Sequence, residues 1–196
     1  MAEHCPHVRY LLKSDKDMFI NVPHLVRVLR GRSSTGDDEE RRSILGLIHT
    51  DGPVRRTGRY AVRPDEYPLT LYPSYARGGA YVIANRQLSR ELYETSEFVP
   101  PVRMEDVYVT GVLSRVVGGV RFVSLPGFNV PHRKRPTTGC DVVSGRTLTA
   151  TGVAARQIRS VWRQTRQRYG SCLKSANANR FRPSPSREQL AAESRR

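Results

Sequence analysis

The sequence predicts an α/β domain. The alternation of strand and helix patterns and the size of the chain support that prediction. Short apolar runs that favour strands alternate along the chain with segments whose apolar residues recur at helical spacing. Strands that alternate with helices are typical of layered α/β folds. The chain has 196 residues, 38% of them hydrophobic, which suits one domain with a sizeable core. We assign this domain to residues 1–165 and expect the polar, arginine-rich residues 166–196 to form a basic, disordered tail.

The first elements are predicted from apolar runs and from residues that cap helices. Residues 8–20 favour a buried strand that ends in a loop. Asn21 can cap a short helix that would stop at Gly31, because asparagine is a preferred N-cap and glycine often follows a helix end. A charged, turn-rich loop is expected next, and residues 44–48 then form a candidate strand.

The later elements follow from the same kind of pattern. Asn85 precedes a helical segment that places Leu88 and Leu92 on one face. The clearest helical pattern begins with two carboxylates, ends at a pair of glycines, and is followed by a candidate strand over residues 120–125. The predicted buried face of that helix consists of Val109, Val112, Leu113 and Val116.

The chain carries a net charge of +15, almost entirely from arginine. Such an excess invites a nucleic-acid interpretation. The arginines, however, are spread over predicted loops, helices and the tail, and no RNA-binding aromatic pair, zinc-finger spacing or helix-turn-helix punctuation is present. We therefore expect no nucleic-acid partner and keep a basic nucleic-acid-binding protein only as an alternative of another class. Attraction to acidic glycans or anionic membrane surfaces stays open.

Two further features bear on the compartment. No apolar run approaches the ~18 to 20 residues of a membrane span, and no signal-peptide pattern opens the chain. The three cysteines, Cys5, Cys140 and Cys172, are an odd number, so one thiol is free or pairs with something outside this sequence. Three unrelated, reduced cysteines are the alternative.

Three motifs stand out because of the order in which they occur. Lys13-Ser14-Asp15-Lys16-Asp17 places two carboxylates two residues apart after an apolar run, Tyr75-Ala76-Arg77-Gly78-Gly79-Ala80-Tyr81 joins two glycines to aromatic residues, and Met104-Glu105-Asp106-Val107 carries adjacent carboxylates. Two acids two residues apart are a weak signal alone. The three motifs in this order resemble the family-31 glycosyltransferases, the β-1,3-galactosyltransferase and β-1,3-N-acetylglucosaminyltransferase group. The resemblance extends from Cys5 to Trp162.

The resemblance implies a fold, an activity and a location. The fold would be a GT-A-like (Rossmann-like) glycosyltransferase domain without its N-terminal half, because the family has a nucleotide-binding half ahead of the position of Asp15. The activity would be inverting, metal-assisted transfer of galactose or N-acetylglucosamine from a UDP-sugar, in β-1,3 linkage, to an acceptor glycan on a glycoprotein or glycolipid. The location would be the lumenal side of the Golgi membrane, through an N-terminal anchor not present in this chain.

The first motif would supply the metal site and part of the donor site. Asp15 and Asp17 follow a predicted strand end, where ligands collect in open α/β sheets. The resemblance implies that both carboxylates hold Mn²⁺, that Asp15 also serves the donor, and that Lys13 reaches the diphosphate. The alternatives are a turn pair that caps the next helix, with Lys13 on the surface.

The other two motifs would supply the base and the rest of the donor site. Asp106 matches the family's proposed catalytic base, which takes the proton from the acceptor hydroxyl. Glu105, Gly78 and Gly79 are assigned to the donor, since glycines let the backbone approach a ligand closely. The alternatives are an ordinary N-cap at Asp106, kept ionised by the helix dipole, and a tight turn at the glycines.

One departure from the family pattern concerns the metal. Counted back from Trp162, which matches the family's late tryptophan, the position of the family's metal-binding histidine falls at Thr151. A threonine hydroxyl is a much poorer ligand than an imidazole for an ion such as Mn²⁺. An inactive fragment or a pseudoenzyme of the same family is therefore the main alternative to an active transferase.

Overall fold

The computed structural model describes residue 5 and residues 7–33, 42–131 and 136–172. Most of the predicted tail and most of the predicted charged loop before residue 44 lie outside these ranges. The strands are β1 (Tyr10–Ser14), β2 (Met18–Ile20), β3 (Ser43–Gly46), β4 (Ile48–His49), β5 (Tyr75–Ala76), β6 (Ala80–Ala84), β7 (Arg121–Ser124), β8 (Val130–Pro131) and β9 (Thr149–Thr151). The α-helices are α1 (Val22–Ser33), α2 (Arg86–Ser96), α3 (Glu105–Val107), α4 (Ser114–Val117), α5 (Gly139–Val143) and α6 (Ala155–Gln167), and a π-helical segment, Tyr108–Leu113, joins α3 to α4.

The main sheet has four strands in the order β1-β6-β3-β7. Strand β6 is antiparallel to both β1 and β3, whereas β3 and β7 run parallel. A smaller sheet has the order β2-β9-β8, and β4 pairs with β5. Helices and a mixed sheet in layers confirm the α/β prediction.

Helices cover both faces of the main sheet. Strand β6 is buried along its whole length, and its side chains alternate between two cores. Ala80, Val82 and Ala84 pack with Leu25 and Leu29 of α1. On the opposite face, Tyr81 and Ile83 pack with Leu88 and Leu92 of α2 and with Leu113. Strand β6 therefore lies between two helical layers, and the neighbouring ends of β1 and β6 carry the candidate site.

The helix caps agree with the sequence. Asn85 accepts a hydrogen bond from the backbone N–H of Gln87 at 2.6 Å and so caps α2. Asn21 accepts one from His24 at 3.4 Å, and its amide nitrogen donates to the carbonyl oxygen of Val142 at 2.9 Å. Asn21 thus caps α1 and ties it to α5.

Four details differ from the sequence predictions. The buried strand predicted over residues 8–20 is instead two strands, β1 and β2, in different sheets, and β1 is only partly buried. Helix α1 continues past Gly31 to Ser33, so this glycine does not end it. The predicted strand over residues 44–48 is interrupted at Leu47, which separates β3 from β4. The buried face predicted for the third helix is wrong in part, since Val116 is 60% exposed whereas Thr110 is fully buried. The π-helical segment explains this, because its wider turn breaks the 3.6-residue period on which the prediction rested.

The C-terminal layer is held by α5 and α6. A disulfide joins Cys140 in α5 to Cys172 beyond α6, and the thiol of Cys5 is free and exposed. This confirms that one of the three cysteines has no partner in the chain. Helix α6 continues across the predicted boundary at residue 165, and the ring of Trp162 lies 5.3 Å from that of the buried Phe19.

The distribution of charge also differs from the expected even spread. Helix α6 gathers four exposed arginines on one face: Arg156, Arg159, Arg163 and Arg166. Among the described residues, no helix has the length and apolar composition to cross a membrane.

Candidate active site

The first part of the site is the loop that follows β1. The backbone N–H of Asp15 donates to the carbonyl oxygen of Gly79 at 2.7 Å, which extends the β1–β6 pairing by one residue. The carbonyl oxygen of Asp17 accepts from the N–H of Val153 at 2.9 Å. Both ends of the loop are therefore fixed by backbone bonds, while the side chains of Asp15 and Asp17 are exposed.

Lys13 connects the first motif to the third. Its ammonium group lies 2.8 Å from a carboxylate oxygen of Asp15 and 2.5 Å from one of Glu105. Burial alone would lower the pKa of Lys13, but the hydrogen bonds and charges of Asp15 and Glu105 outweigh it and raise the pKa above its ordinary value. Lys13 is therefore a stable cation held between two carboxylates, not a freely exposed surface lysine.

Tyr81 connects the second motif to the same group. It pairs with Lys13 in the β1–β6 register, and the Lys13 ammonium lies 5.5 Å from the centre of its ring. The Tyr81 hydroxyl donates a hydrogen bond to Glu105. Burial and the bond to Glu105 raise the pKa of Tyr81, so its hydroxyl stays protonated. The sheet register thus brings the three motifs into one network.

Asp106 lies beside this network at the start of α3. The N-cap of α3 is Met104, so Asp106 is not the cap that the alternative interpretation proposed. Its carboxylate accepts hydrogen bonds from the backbone N–H groups of Gly78 at 3.2 Å and Val107 at 2.9 Å. Burial raises the pKa of Asp106 and the charge of Glu105 adds to it, although the two N–H groups and Lys13 act in the opposite direction. The raised pKa makes Asp106 a better proton acceptor than an exposed aspartate.

The two glycines leave room for neighbouring side chains around the site. Gly78 has a positive φ of 100°, and a Cβ atom there would lie 2.9 Å from the side-chain nitrogen of Asn129. A Cβ atom on Gly79 would lie 2.9 Å from an Asp15 carboxylate oxygen and 2.7 Å from the sulfur of Met18. The glycines therefore let Asn129 and Asp15 approach the turn, which favours the tight-turn interpretation. Their contact with a donor stays a prediction.

Two buried polar residues support the site and were not predicted as part of it. The amide nitrogen of Asn129 donates to the carbonyl oxygens of Arg77 at 2.7 Å and Ala80 at 2.9 Å, so it holds the glycine turn on both sides. The hydroxyl of Thr110 donates to the carbonyl oxygen of Asp106 at 2.5 Å and accepts from the N–H of Ala76 at 2.9 Å. A polar residue inside the apolar helical pattern was the signal available for Thr110.

Thr151 lies next to the first motif. In the β2–β9 register it pairs with Met18, the residue after Asp17. Within the described ranges, no group of three His, Cys, Asp or Glu side chains could hold a metal ion. Asp15 and Asp17 provide carboxylate oxygens, which fit a hard divalent cation by type, but the described residues bring no third ligand of these kinds to them.

The sequence of the chain is similar to known proteins. A family model described as Galactosyltransferase matches residues 1–123. Lactosylceramide 1,3-N-acetyl-β-D-glucosaminyltransferase of Rattus norvegicus is 34% identical over 119 residues, which is 59% of this chain and 30% of the relative. β-1,3-Galactosyltransferase 5 of Pan troglodytes is 32% identical over 156 residues, which is 74% of this chain and 50% of the relative.

A human relative also matches part of this chain. UDP-GlcNAc:βGal β-1,3-N-acetylglucosaminyltransferase 8 is 36% identical over 129 residues, which is 65% of this chain and 31% of the relative. The chain thus spans half or less of the length of each of these three relatives. The family model covers more than half of the chain and includes all three motifs that the fold brings together. The chain therefore belongs to the galactosyltransferase family, with relatives among the β-1,3-galactosyltransferases and β-1,3-N-acetylglucosaminyltransferases, as its three motifs predicted.

Proposed function

We propose that the chain forms part of an inverting hexosyltransferase that transfers galactose or N-acetylglucosamine from a UDP-sugar, in β-1,3 linkage, to a glycan acceptor on a glycoprotein or glycolipid. The observation that carries this proposal is the convergence of Lys13, Asp15, Glu105 and Asp106, which come from two motifs far apart in the chain. The names of the relatives supply the sugar and the linkage.

Asp106 would act as the general base. The acceptor hydroxyl would attack the anomeric carbon of the donor sugar while its proton passes to the Asp106 carboxylate, and the bond from the sugar to UDP would break in the same step. The raised pKa of Asp106 suits this role, because a base works best when its pKa approaches the working pH. The N–H of Gly78 would orient the carboxylate.

The diphosphate of the donor would lie beside Lys13, Asp15 and Glu105. The Lys13 cation already bridges the two carboxylates, so a diphosphate that entered would compete with them for its ammonium group. Asp15 and Asp17 would hold Mn²⁺, which when bound neutralises negative charge on the departing UDP. With two carboxylates as its protein ligands, the ion would depend on phosphate oxygens and water for the rest of its coordination.

A lumenal Golgi location is consistent with the disulfide. Disulfides such as Cys140–Cys172 form and persist in oxidising compartments and are rare in the cytosol. We extend the family's location to this protein on that basis.

A second candidate is a member of the family that has lost catalysis. The observation that favours it is Thr151, which lies beside the first motif. Counted back from Trp162, the family's histidine falls at this position. Such a protein would bind UDP and leave the sugar untransferred.

One set of assays separates these candidates. We expect a polypeptide extended at its N terminus to the length of the relatives to transfer sugar from UDP-galactose or UDP-N-acetylglucosamine in the presence of Mn²⁺. In that polypeptide Asp106→Asn should abolish transfer while retaining UDP binding. Asp65→Asn, an exposed aspartate paired with Arg63, is the matched control and should keep full activity. UDP binding without any turnover would select the second candidate. Steeply salt-dependent binding to random DNA or RNA without UDP binding would select the nucleic-acid alternative.

A further inference from the structure

The outer face of α6 carries an arginine stripe made of Arg156, Arg159, Arg163 and Arg166. At 100° per residue these four positions fall within about 80° of the helix circumference. They span ten residue steps, or about 15 Å of helix length. Val161 is buried on the opposite side, so the stripe points away from the protein.

The charge of this stripe is not balanced within the described structure. Helix α6 contains no aspartate or glutamate, and the four arginines have no ion-pair partner among the described residues. Successive members are three or four residues apart, a spacing at which like charges destabilise a helix. An ordinary solvated face mixes both signs, as in the Arg90–Glu94 pair on α2. The unbalanced positive charge of the stripe therefore indicates an anionic partner rather than an ordinary solvated helix face.

Helix α6 is held in place by its packed inner face and by a disulfide. Ile158, Val161 and Trp162 pack against Phe19 and Val142 on the inner side of α6. The disulfide at Cys172 fastens the chain just after α6 to α5. The four guanidinium groups are thus carried on an anchored helix, which limits the entropy lost when a ligand orders them.

The chemistry of the stripe limits the type of partner. A bilayer-binding helix has large apolar residues beside its basic ones, but the exposed positions of α6 next to the stripe are Ala155, Ser160 and Gln167. A single-stranded nucleic acid would need aromatic side chains between the basic ones, and the stripe has none. A row of guanidinium forks one side chain wide matches a narrow, linear polyanion with sulfate or carboxylate groups.

We propose that this arginine stripe binds a linear anionic glycan that carries sulfate or carboxylate groups. The stripe is distinct from the Asp15–Asp106 site, and its binding does not depend on whether that site is catalytic. Each guanidinium would donate paired N–H bonds to one anionic group of the glycan.

The test compares two variants with equal loss of charge. In the first, Arg156, Arg159, Arg163 and Arg166 are all changed to Gln. In the control, four exposed arginines outside α6 are changed to Gln: Arg27, Arg30, Arg59 and Arg115. The probe is a short heparin oligosaccharide, measured by calorimetry at about physiological salt. Loss of four exposed ion pairs should weaken binding about ten-fold in the first variant. The control should weaken it much less.

Two further measurements keep the proposal open to refutation. In the unmutated protein, the oligosaccharide should protect the four arginines from an arginine-modifying reagent, which needs no variant to fold. Anionic phosphatidylserine vesicles and a single-stranded oligonucleotide of similar charge should bind more weakly than the oligosaccharide. Equal weakening in both variants, absence of protection, or tighter binding of vesicles or oligonucleotide would overturn the proposal.

Discussion

Asp106 shows how one buried carboxylate links pH, stability and chemistry. Burial raises its pKa, so the folded protein keeps this proton to a higher pH than the unfolded chain does. The free energy of unfolding therefore falls as the pH rises from the unfolded pKa of about 3.9 through the folded one. Above the folded pKa the whole cost of ionising the buried group is present.

We expect Asp106→Asn to remove this part of the pH dependence. The free energy of unfolding at neutral pH should be unchanged or higher, because the amide carries no charge to bury. Urea titrations at acidic and neutral pH would measure the difference, with Asp65→Asn as the exposed control. A variant that is clearly less stable at neutral pH would show that the bonds from Gly78 and Val107 outweigh the cost of burial.

Thr151 leads to a prediction about the metal. Thr151→His, made in a polypeptide extended at its N terminus to the length of the relatives, should tighten Mn²⁺ binding about ten-fold or more, the usual scale for a supporting group at a metal site. A Mn²⁺ titration with saturating UDP measures this, and Thr70→His at an exposed position is the control. Equal affinities would mean that the count back from Trp162 places the family's histidine at the wrong residue, or that His132, outside the described residues, is the ligand.

At the scale of elements, the π-helical segment helps to position Asp106. Thr110 lies in this segment, and its hydroxyl links the first turn of the helix to the strand that leads to the glycine turn. Wider π turns often occur at functional sites, where they reorient side chains. Here the segment turns the polar Thr110 inward, to a fully buried position between β5 and α3.

Thr110→Val tests this link at nearly constant side-chain volume. The change leaves the N–H of Ala76 without its partner, and we expect a loss of about 1–3 kcal/mol in the free energy of unfolding. Denaturant titration would measure it, and Thr57→Val on the surface should have little effect. A stability equal to that of the parent protein would show that another group satisfies Ala76.

The disulfide gives a second prediction at this scale. Cys140 and Cys172 are separated by 32 residues, and closing a loop of that length should contribute about 3–4 kcal/mol by the chain-entropy estimate. Reduction, or Cys140→Ser with Cys172→Ser, should lower the midpoint of thermal unfolding. Cys5→Ser is the control, because this thiol is free and exposed. Unfolding midpoints that match with and without the disulfide would refute this expectation.

Much of the fold could be predicted because the signals are local, since Asn21 and Asn85 cap helices through their own neighbours in sequence. The site was predicted from the family resemblance, and six of its seven predicted residues, all but Asp17, lie around one network. The π-helical segment was missed because hydrophobic spacing assumes a regular turn. The contacts of Asn129 were missed because they depend on how the strands pair, which no single stretch of sequence encodes.

At the scale of the whole molecule, β1 leaves an edge of the main sheet. Among the described residues β1 pairs only with β6, and Leu12 is 38% exposed. An exposed strand edge offers unpaired N–H and C=O groups to another strand. The chain also spans half or less of the length of the three relatives, so we propose that the polypeptide of this family needs more chain than these residues to complete its donor site.

This proposal predicts a difference in nucleotide affinity. Residues 1–196 alone should bind UDP much more weakly than an N-terminally extended polypeptide, and should bind a dye for exposed apolar surface more strongly. Calorimetry with UDP would measure the first effect. Equal UDP affinities together with cooperative unfolding of residues 1–196 would contradict it.

Lys13 and Gly79 have a consequence for how this sequence can change during evolution. Loss of Lys13 would leave two half-exposed carboxylates without their cation, and a side chain at Gly79 would displace the ends of the Asp15 and Met18 side chains, so folding favours both residues whether or not the protein is active. Folding does not favour the carboxylates of Asp17 and Asp106 in this way. The Asp17 carboxylate has no partner among the described residues, and burial disfavours the charge of Asp106. A lineage released from catalytic selection would lose these two first, so Asp17 and Asp106 are the positions whose drift across relatives would date the loss of activity.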